Sequence, residues 1–293
     1  MKKQRAIFFA ILAALLYALS TPISKIILNE LHPVWIASLL YLGAGIGMSI
    51  IALFRHQKEG YIQTKIYTQD TRYAIIGMIL LDILAPILLI FGLSLSFPEN
   101  VALLNNFEIV ATALFAAFIF KEHIPKRLRI AIIFVTIASI VLSFENMEAL
   151  KFSLGSIFVI LAAMSWGLEN NLTRKLSHYD PLMVVVIKGI FSGLGSLLIA
   201  LFLGEVSLNI LYVSITLLLG FVAYGLSIFF YVTAQKELGA AKTSTFYAIA
   251  PFMGAFLSLL IFQEISGINF FIGLILMAFG TYFAATEGKK RIK

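Results

Sequence analysis

Long apolar runs alternate with short polar segments along the whole chain. Because a bilayer core about 30 Å thick needs about 20 apolar residues per helix, each run predicts one transmembrane helix. The runs lack the alternation of barrel strands, so helices are favoured. The pattern predicts an all-α integral membrane protein with ten transmembrane helices, at Ala6–Leu28, Val34–Phe54, Tyr73–Ser94, Val101–Phe120, Leu128–Ser143, Leu154–Thr173, Leu182–Leu203, Ile210–Ala234, Thr243–Phe262 and Phe270–Ala285.

The positions of the basic residues predict how these helices are oriented. If the N-terminus is cytoplasmic, all of the 22 Lys and Arg residues except Lys25, Lys151 and Lys188 fall in cytoplasmic segments. Such an excess is the positive-inside signature. We therefore expect a multi-pass protein of the bacterial inner (plasma) membrane with both termini in the cytoplasm.

Composition narrows the function further. The chain is 60% hydrophobic and 13% charged, whereas soluble domains average about 45–50% and about 25%. The absence of cysteine excludes disulfides and thiolate sites, and no phosphate loop or zinc spacing is visible. We expect no enzyme activity, no cofactor, no metal and no nucleic-acid partner. The expected partners are a small-molecule solute, with or without protons, and membrane lipids, for a monomer or homodimer.

Two pairs of segments resemble each other at a spacing near 145 residues. Residues 12–17 resemble 161–166, and residues 119–122 resemble 261–264. At an offset of 149, one helix stripe aligns with another: Tyr17, Ser20, Thr21 and Ser24 with Trp166, Glu169, Asn170 and Thr173. This repeat predicts two five-helix halves, 1–147 and 148–293. Because five is odd, the second half is inverted, as in carriers with a site at the midplane.

Four ionisable residues fall inside predicted helices, where an unpaired charge is costly: Asp82, Glu108, Glu169 and Lys188. Asp82 and Glu108 are predicted to approach each other near the midplane as a proton or substrate-amine site, because a carboxyl removed from water holds a proton more readily. The alternative is a carboxyl that only fixes helix packing. Glu169 and Lys188 have matching depths and predict an ion pair, which is either structural or in contact with substrate.

Polar and aromatic residues extend this candidate site. The amides of Asn105 and Asn170 either line the cavity or bond a neighbouring helix. Aromatic cavity walls are predicted at Tyr17, Trp166, Tyr224 and Tyr247, with ordinary packing as the alternative. Pro22 and Pro251 are expected to bend their helices, because each removes a backbone hydrogen bond. Glycines in the second and seventh helices are expected to permit close contact.

The two stripes end in Lys25 and Arg174, and both halves keep a terminal acid in the fourth helix, Glu122 and Glu264. A Glu-Pro pair is split between the halves, as Glu108-Ile109 and Ala250-Pro251. In these motifs the chain resembles the drug/metabolite transporter superfamily with tandem EamA-type repeats. The resemblance implies a ten-helix bundle with a central cavity lined by helices one, three, four, six, eight and nine. It also implies transport of amino acids, other metabolites or drugs, often outward.

The sequence thus predicts a secondary transporter that moves a small metabolite, amino acid or drug-like solute by alternating access. Export, with or without proton coupling, is the leading form. A passive channel or facilitator, a membrane-embedded enzyme and a scaffold are the alternatives. The four histidines are scattered over both sides of the predicted bundle, which disfavours an enzyme: His32, His56, His123 and His178.

Overall fold

The computed structural model describes residues 2–59, 68–69, 71–119, 121, 123–146, 151–176, 179–238, 243, 246–263 and 267–286. Helices dominate this part of the chain. Those of the first half are α1 (Lys2–Ala18), α2 (Ser20–Ile27), α3 (Pro33–Glu59), α4 (Arg72–Ser94), α5 (Pro98–Leu104), α6 (Phe107–Phe118) and α7 (Lys126–Ser143).

The second half begins after a short antiparallel pairing of β1 (Phe144–Asn146) with β2 (Lys151–Phe152). Its α-helices are α8 (Leu154–Thr173), α9 (Pro181–Leu203), α10 (Ile210–Leu219), α11 (Ser227–Leu238), α12 (Ala250–Phe262) and α13 (Ile268–Ala285). A 3-10 turn (Arg174–Leu176) follows α8, and a π-helical segment (Gly220–Leu226) joins α10 to α11.

The helical stretches follow the apolar runs closely. In the described residues, six are long and apolar enough to cross a membrane: Gln4–Ile27, Pro33–Arg55, Arg72–Ser94, Pro98–Phe118, Pro181–Leu203 and Ile210–Ala234. Shorter apolar helices lie at Ala250–Phe262 and Ile268–Ala284. Large apolar side chains such as Phe202, Leu208 and Phe118 are 91%, 88% and 79% exposed, which suits a surface covered by lipid rather than water.

Several of the long helices are interrupted in mid-course. The first breaks at Leu19, just before Pro22, and α12 begins just before Pro251, so both expected proline effects are present. A further break at Asn105 and Asn106 separates α5 from α6. Of the predicted spans, residue 120 and residues 244–245 lie outside the described residues. Interrupted helices inside a membrane protein occur where backbone lines a cavity or is buried in protein.

Glycine brings α3 and α9 into close contact. A Cβ at Gly45 would lie 2.5 Å from the backbone nitrogen of Ile190, and a Cβ at Gly189 would collide with the backbone of Gly45. The expected close approach of the second and seventh helices is therefore present. It brings Tyr41 and Lys188, which lie on the facing sides, toward the same interior.

The remaining helices pack in pairs around this contact. Helix α4 packs on α8, α1 on α11, and α7 on α13. Two further pairs, α6 with α8 and α12 with α1, bring the interrupted helices against the first helix of each half. The core between them is apolar, with Leu40, Ile90, Leu103 and Leu104 almost wholly buried, so a polar group there stands out.

Candidate functional site

An ion-pair cluster lies inside the bundle, where α4, α8 and α9 meet. The Nζ of Lys188 lies 3.3 Å from Oδ2 of Asp82 and 3.1 Å from Oε1 of Glu169. The side chains of the two acids are 0% and 1% exposed, and that of Lys188 is 10% exposed. We call these three residues the charged cluster. Each of these charges is stabilised by the others, because a buried charge without a partner is strongly unfavourable.

Hydrogen bonds fix the orientation of both carboxylates in the charged cluster. Tyr41 donates its hydroxyl to Oδ1 of Asp82 at 2.9 Å and accepts a bond from Nε1 of Trp166 at 3.3 Å. Thr173 donates its hydroxyl to Oε1 of Glu169. The sequence prediction missed Tyr41 as a site residue. The sequence feature that could have identified Tyr41 is its position one helical turn before Gly45, on the face of α3 that packs on α9.

Glu108 and Asn170 form a second, more accessible polar contact. The amide of Asn170 donates to Oε1 of Glu108 at 2.5 Å. Asn170 is exposed and Glu108 is half-buried, in contrast to the charged cluster. Glu108 lies in the first turn of α6, where the helix dipole favours a carboxylate. The break at Asn105 and Asn106 is what places a helix N-terminus inside the bundle at this point.

A row of tyrosines borders both polar groups. The ring centroids of Tyr41 and Tyr224 are 5.4 Å apart, those of Tyr224 and Tyr17 5.9 Å, and those of Tyr17 and Tyr247 6.1 Å. Tyr231 extends the row, 4.9 Å from Tyr247. We call these five residues the tyrosine row. It comes from α1, α3, the π-helical segment, α11 and the helical residues just before α12, so it spans both halves of the chain.

Amide and hydroxyl groups hold the tyrosine row in place. Asn105 donates its amide to the hydroxyl of Tyr17 at 2.8 Å, and Ser20 donates to the hydroxyl of Tyr224 at 3.4 Å. Asn105 thus bonds a neighbouring helix, which was the alternative reading of its amide. It does so inside the candidate site, at the break that also positions Glu108.

The structure brings the ten predicted site residues into one contiguous region. The predicted pair of Glu169 with Lys188 is present. Asp82 and Glu108 differ from the expectation, because Asp82 pairs with Lys188 and Tyr41 while Glu108 contacts Asn170. Sequence depth alone missed this, because α8 and α9 supply the nearer partners. The binding roles of all ten remain predictions.

Beyond the charged cluster, polar contacts join three helices at one end of the bundle. Lys25 donates to the carbonyl oxygens of Leu93 at 2.7 Å and Ser96 at 3.0 Å, at the C-terminal end of α4. The hydroxyls of Ser96 and Ser153 are 3.1 Å apart. A cation at a helix C-terminus is favourably placed, because it faces orphan carbonyls and the negative end of the dipole. These contacts tie α2, α4 and the start of α8 together.

The comparisons with known proteins agree with this architecture. The EamA-like transporter family matches the chain twice, over residues 4–144 and residues 153–286. An uncharacterized transporter of Methanothermobacter thermautotrophicus is 25% identical over 295 residues, which cover 95% of this chain and 85% of that protein. One of Clostridium kluyveri is 25% identical over 302 residues, with 98% and 95% covered.

A solved crystal structure, 15% identical in sequence, gives a TM-score of 0.64 over 96% of this chain and 97% of its own. That likeness shows the fold alone. The family match covers most of both halves, and the similar proteins are named as transporters. Together with the apolar helices, this identifies a multi-pass membrane protein. The chain belongs to the EamA-like transporter family.

Proposed function

We propose that this transporter is a secondary carrier that moves a small solute by alternating access, using the candidate site as its binding site. The observation that carries the proposal is the juxtaposition of a buried charged cluster with the more accessible Glu108–Asn170 contact. Ionisable groups within a membrane are costly to place there and mark transport pathways. Packing alone does not require three carboxylates in one interior.

Charge balance supports a role for a transported cation. Asp82, Glu108 and Glu169 would carry three negative charges, whereas Lys188 supplies one positive charge in the described site. In a low-dielectric interior such an excess is neutralised by protons or by a bound cation. The site therefore changes its protonation or its occupancy as it opens and closes, which is the basis of coupled transport.

The packing supports ten helices in two inverted halves, 1–147 and 148–293. In the order of the two halves, α1 is equivalent to α8, α4 to α11 and α6 to α12. The contact of α4 with α8 then corresponds to that of α11 with α1, and the contact of α6 with α8 corresponds to that of α12 with α1. The pairs α3–α9 and α7–α13 join equivalent helices directly. Two halves related in this way can exchange two arrangements that are related by a pseudo-two-fold axis in the membrane plane, as inverted repeats do.

We infer that the end joined by the Lys25 contacts is the closed end in one of these two arrangements. The Lys25 contacts seal the end where α2 and α4 finish, while Asn170, toward the other end of α8, is exposed. With the termini in the cytoplasm of a bacterial inner membrane, the site then faces the cytoplasm. A solute loaded from that side and released on the other is exported.

Flux into proteoliposomes tests the proposal. Purified protein is assayed with a library of amines, amino acids and drug-like solutes, with and without a pH gradient. We expect saturable uptake of at least one solute and counterflow by that solute. Glu108→Gln should abolish or uncouple this flux while the variant remains folded. Glu237→Gln, the same change at an exposed residue, is the matched control.

Two outcomes would contradict the proposal. Flux that rises without saturation and shows no counterflow would identify a channel instead of a carrier. Wild-type flux and wild-type pH dependence in Glu108→Gln would remove Glu108 from the mechanism. A folded Glu108→Gln variant is confirmed by its elution volume and its far-ultraviolet circular dichroism.

A further inference from the structure

We infer that the solute is an organic cation with a single positive charge and an apolar, preferably aromatic, body, held between the Glu108 carboxylate and the rings of Tyr17 and Tyr247. This inference rests on the proposed transport function and names its substrate class. It depends on the division of the site into a charged cluster that is already paired and an accessible acid beside aromatic rings.

The charged cluster leaves little attraction for an anionic group. Lys188 contacts both Asp82 and Glu169, so its positive charge is already shared between two carboxylates. Among the described side chains that contact the site, Lys188 is the single cation. A solute carboxylate would have to displace one of these buried acids and leave it without a partner, which is strongly unfavourable.

The more accessible carboxylate, that of Glu108, favours a cationic group instead. Glu108 is half-buried and its contact with Asn170 is to a neutral amide, so the carboxylate has no compensating cation bonded to it in the described contacts. Glu108 lies three residues after Asn105, whose amide donates to the hydroxyl of Tyr17, and the ring of Tyr17 lies beside that of Tyr247. An ammonium group beside Glu108 would therefore also reach the edge or face of these rings.

The tyrosine row supplies the second half of the recognition. The rings of Tyr17 and Tyr247 are half-buried, with centroids 6.1 Å apart and planes inclined at 41°. Faces of aromatic rings attract cations, and the attraction grows when the cation is desolvated. The same faces stack on a flat apolar body, so one surface binds both the charge and the carbon skeleton of the solute.

Four indole compounds that share the aromatic ring and differ in the charge of the side group test this inference directly. The purified full-length protein is titrated in detergent at pH 7 with tryptamine (cation), tryptophan (zwitterion), indole-3-acetate (anion) and tryptophol (neutral), and binding is followed by calorimetry. We expect tryptamine to bind tightest, by about tenfold or more over the other three. A tetraalkylammonium series extends the test to cations that donate no hydrogen bond.

The variants separate charge recognition from stacking. Glu108→Gln should weaken tryptamine by about tenfold or more and leave tryptophol nearly unchanged, because the substitution removes only the charge. Tyr247→Leu should weaken both, because it removes a ring. Glu237→Gln should change neither. If Glu108→Gln failed to fold, Tyr247→Leu and the ranking of the four compounds would still decide the matter.

Either of two results would overturn the inference. One is binding of tryptophan or indole-3-acetate as tight as that of tryptamine, and the other is no binding of any amine or tetraalkylammonium ion. These are distinct from failure of the proposed function. Saturable flux of a zwitterion or an anion would support the carrier function and contradict the cationic substrate. Absence of saturable flux for every solute would contradict both.

Discussion

One residue of the charged cluster and one of the tyrosine row occupy equivalent positions in the two halves, yet their chemistry differs. Asp82 in α4 and Tyr224 in the π-helical segment lie 142 residues apart, the same separation as Ile119 and Ile261 in the aligned fourth helices. The first is held by Lys188, and the second stacks beside Tyr17 and Tyr41. A repeated scaffold therefore does not need repeated chemistry.

The difference has an energetic reason. Two copies of the charged cluster would bury twice the uncompensated charge, and each buried ion pair costs desolvation energy that its attraction only partly offsets. An aromatic counterpart contributes packing and cation attraction without that cost. Substitutions in the charged cluster should therefore destabilise the fold much more than substitutions in the tyrosine row.

The largest effect is expected for Lys188→Met. The change leaves Asp82 and Glu169 without their cation, and breaking a buried pair in this way costs about 3–5 kcal/mol of stability. Thermal unfolding in detergent should show the loss. The triple variant that also carries Asp82→Asn and Glu169→Gln should recover much of it. An unfolding temperature of Lys188→Met equal to that of the wild type would contradict the ion-pair assignment.

Tyr41→Phe should have a smaller but clear effect on the charged side. Tyr41 is buried and donates to Oδ1 of Asp82, and a hydrogen bond to a charged group contributes about 1.5–3 kcal/mol. Equilibrium unfolding in detergent measures the change. A double cycle with Asp82→Asn should show that the two substitutions are not additive. Full additivity would mean that the hydroxyl stabilises something other than Asp82.

Lys25→Met tests the closed end, which lies outside both regions. We expect a loss of about 1.5 kcal/mol from the contacts with Leu93 and Ser96, the low end for a charged donor, because Lys25 is half-buried. The measurable result is a faster reaction of Ser153→Cys with an impermeant maleimide when Lys25→Met is added. The same label on Asn29→Cys, which is exposed at that end, serves as the control. Unchanged labelling of the buried position would show that Lys25 does not hold the end closed.

The smallest effect is expected for Tyr17→Phe on the aromatic side. The ring stays, and the bond from Asn105 is a neutral one worth about 0.5–1.5 kcal/mol. Compared with Tyr41→Phe under the same unfolding conditions, Tyr17→Phe should be the milder change. A larger loss for Tyr17→Phe than for Tyr41→Phe would reverse the comparison between the two regions.

Hydrophobic patterning predicted the helical architecture well, since apolar runs of membrane length have few other structures available. The predicted bounds of the third span, Tyr73–Ser94, end where α4 ends, at Ser94. The break at Asn105 was missed, because neither asparagine forbids a helix and the interruption is imposed by tertiary contacts such as the bond to Tyr17. Pro22 and Pro251 marked the other two interruptions, whereas Pro86 lies inside α4 without ending it.

The sequence predicted which residues lie together in the candidate site more fully than it predicted which of them contact each other. Charged residues are rare in apolar helices because burying a charge in the membrane is energetically unfavourable. The sequence alone therefore identifies Asp82, Glu108, Glu169 and Lys188. Their partners depend on which faces of the helices meet. That depends in turn on close glycine contacts such as Gly45 with Gly189. A linear sequence records depth along each helix but not rotation about its axis.

The most direct test of alternating access is the sidedness of labelling at the site. The chain has no cysteine, so Asn170→Cys introduces a single thiol beside Glu108. In oriented vesicles, an impermeant maleimide should react with it from one face at a time, from the face of the termini at rest and from the opposite face under conditions of solute exchange. Simultaneous reaction from both faces, or reaction from one face under every condition, would contradict the account.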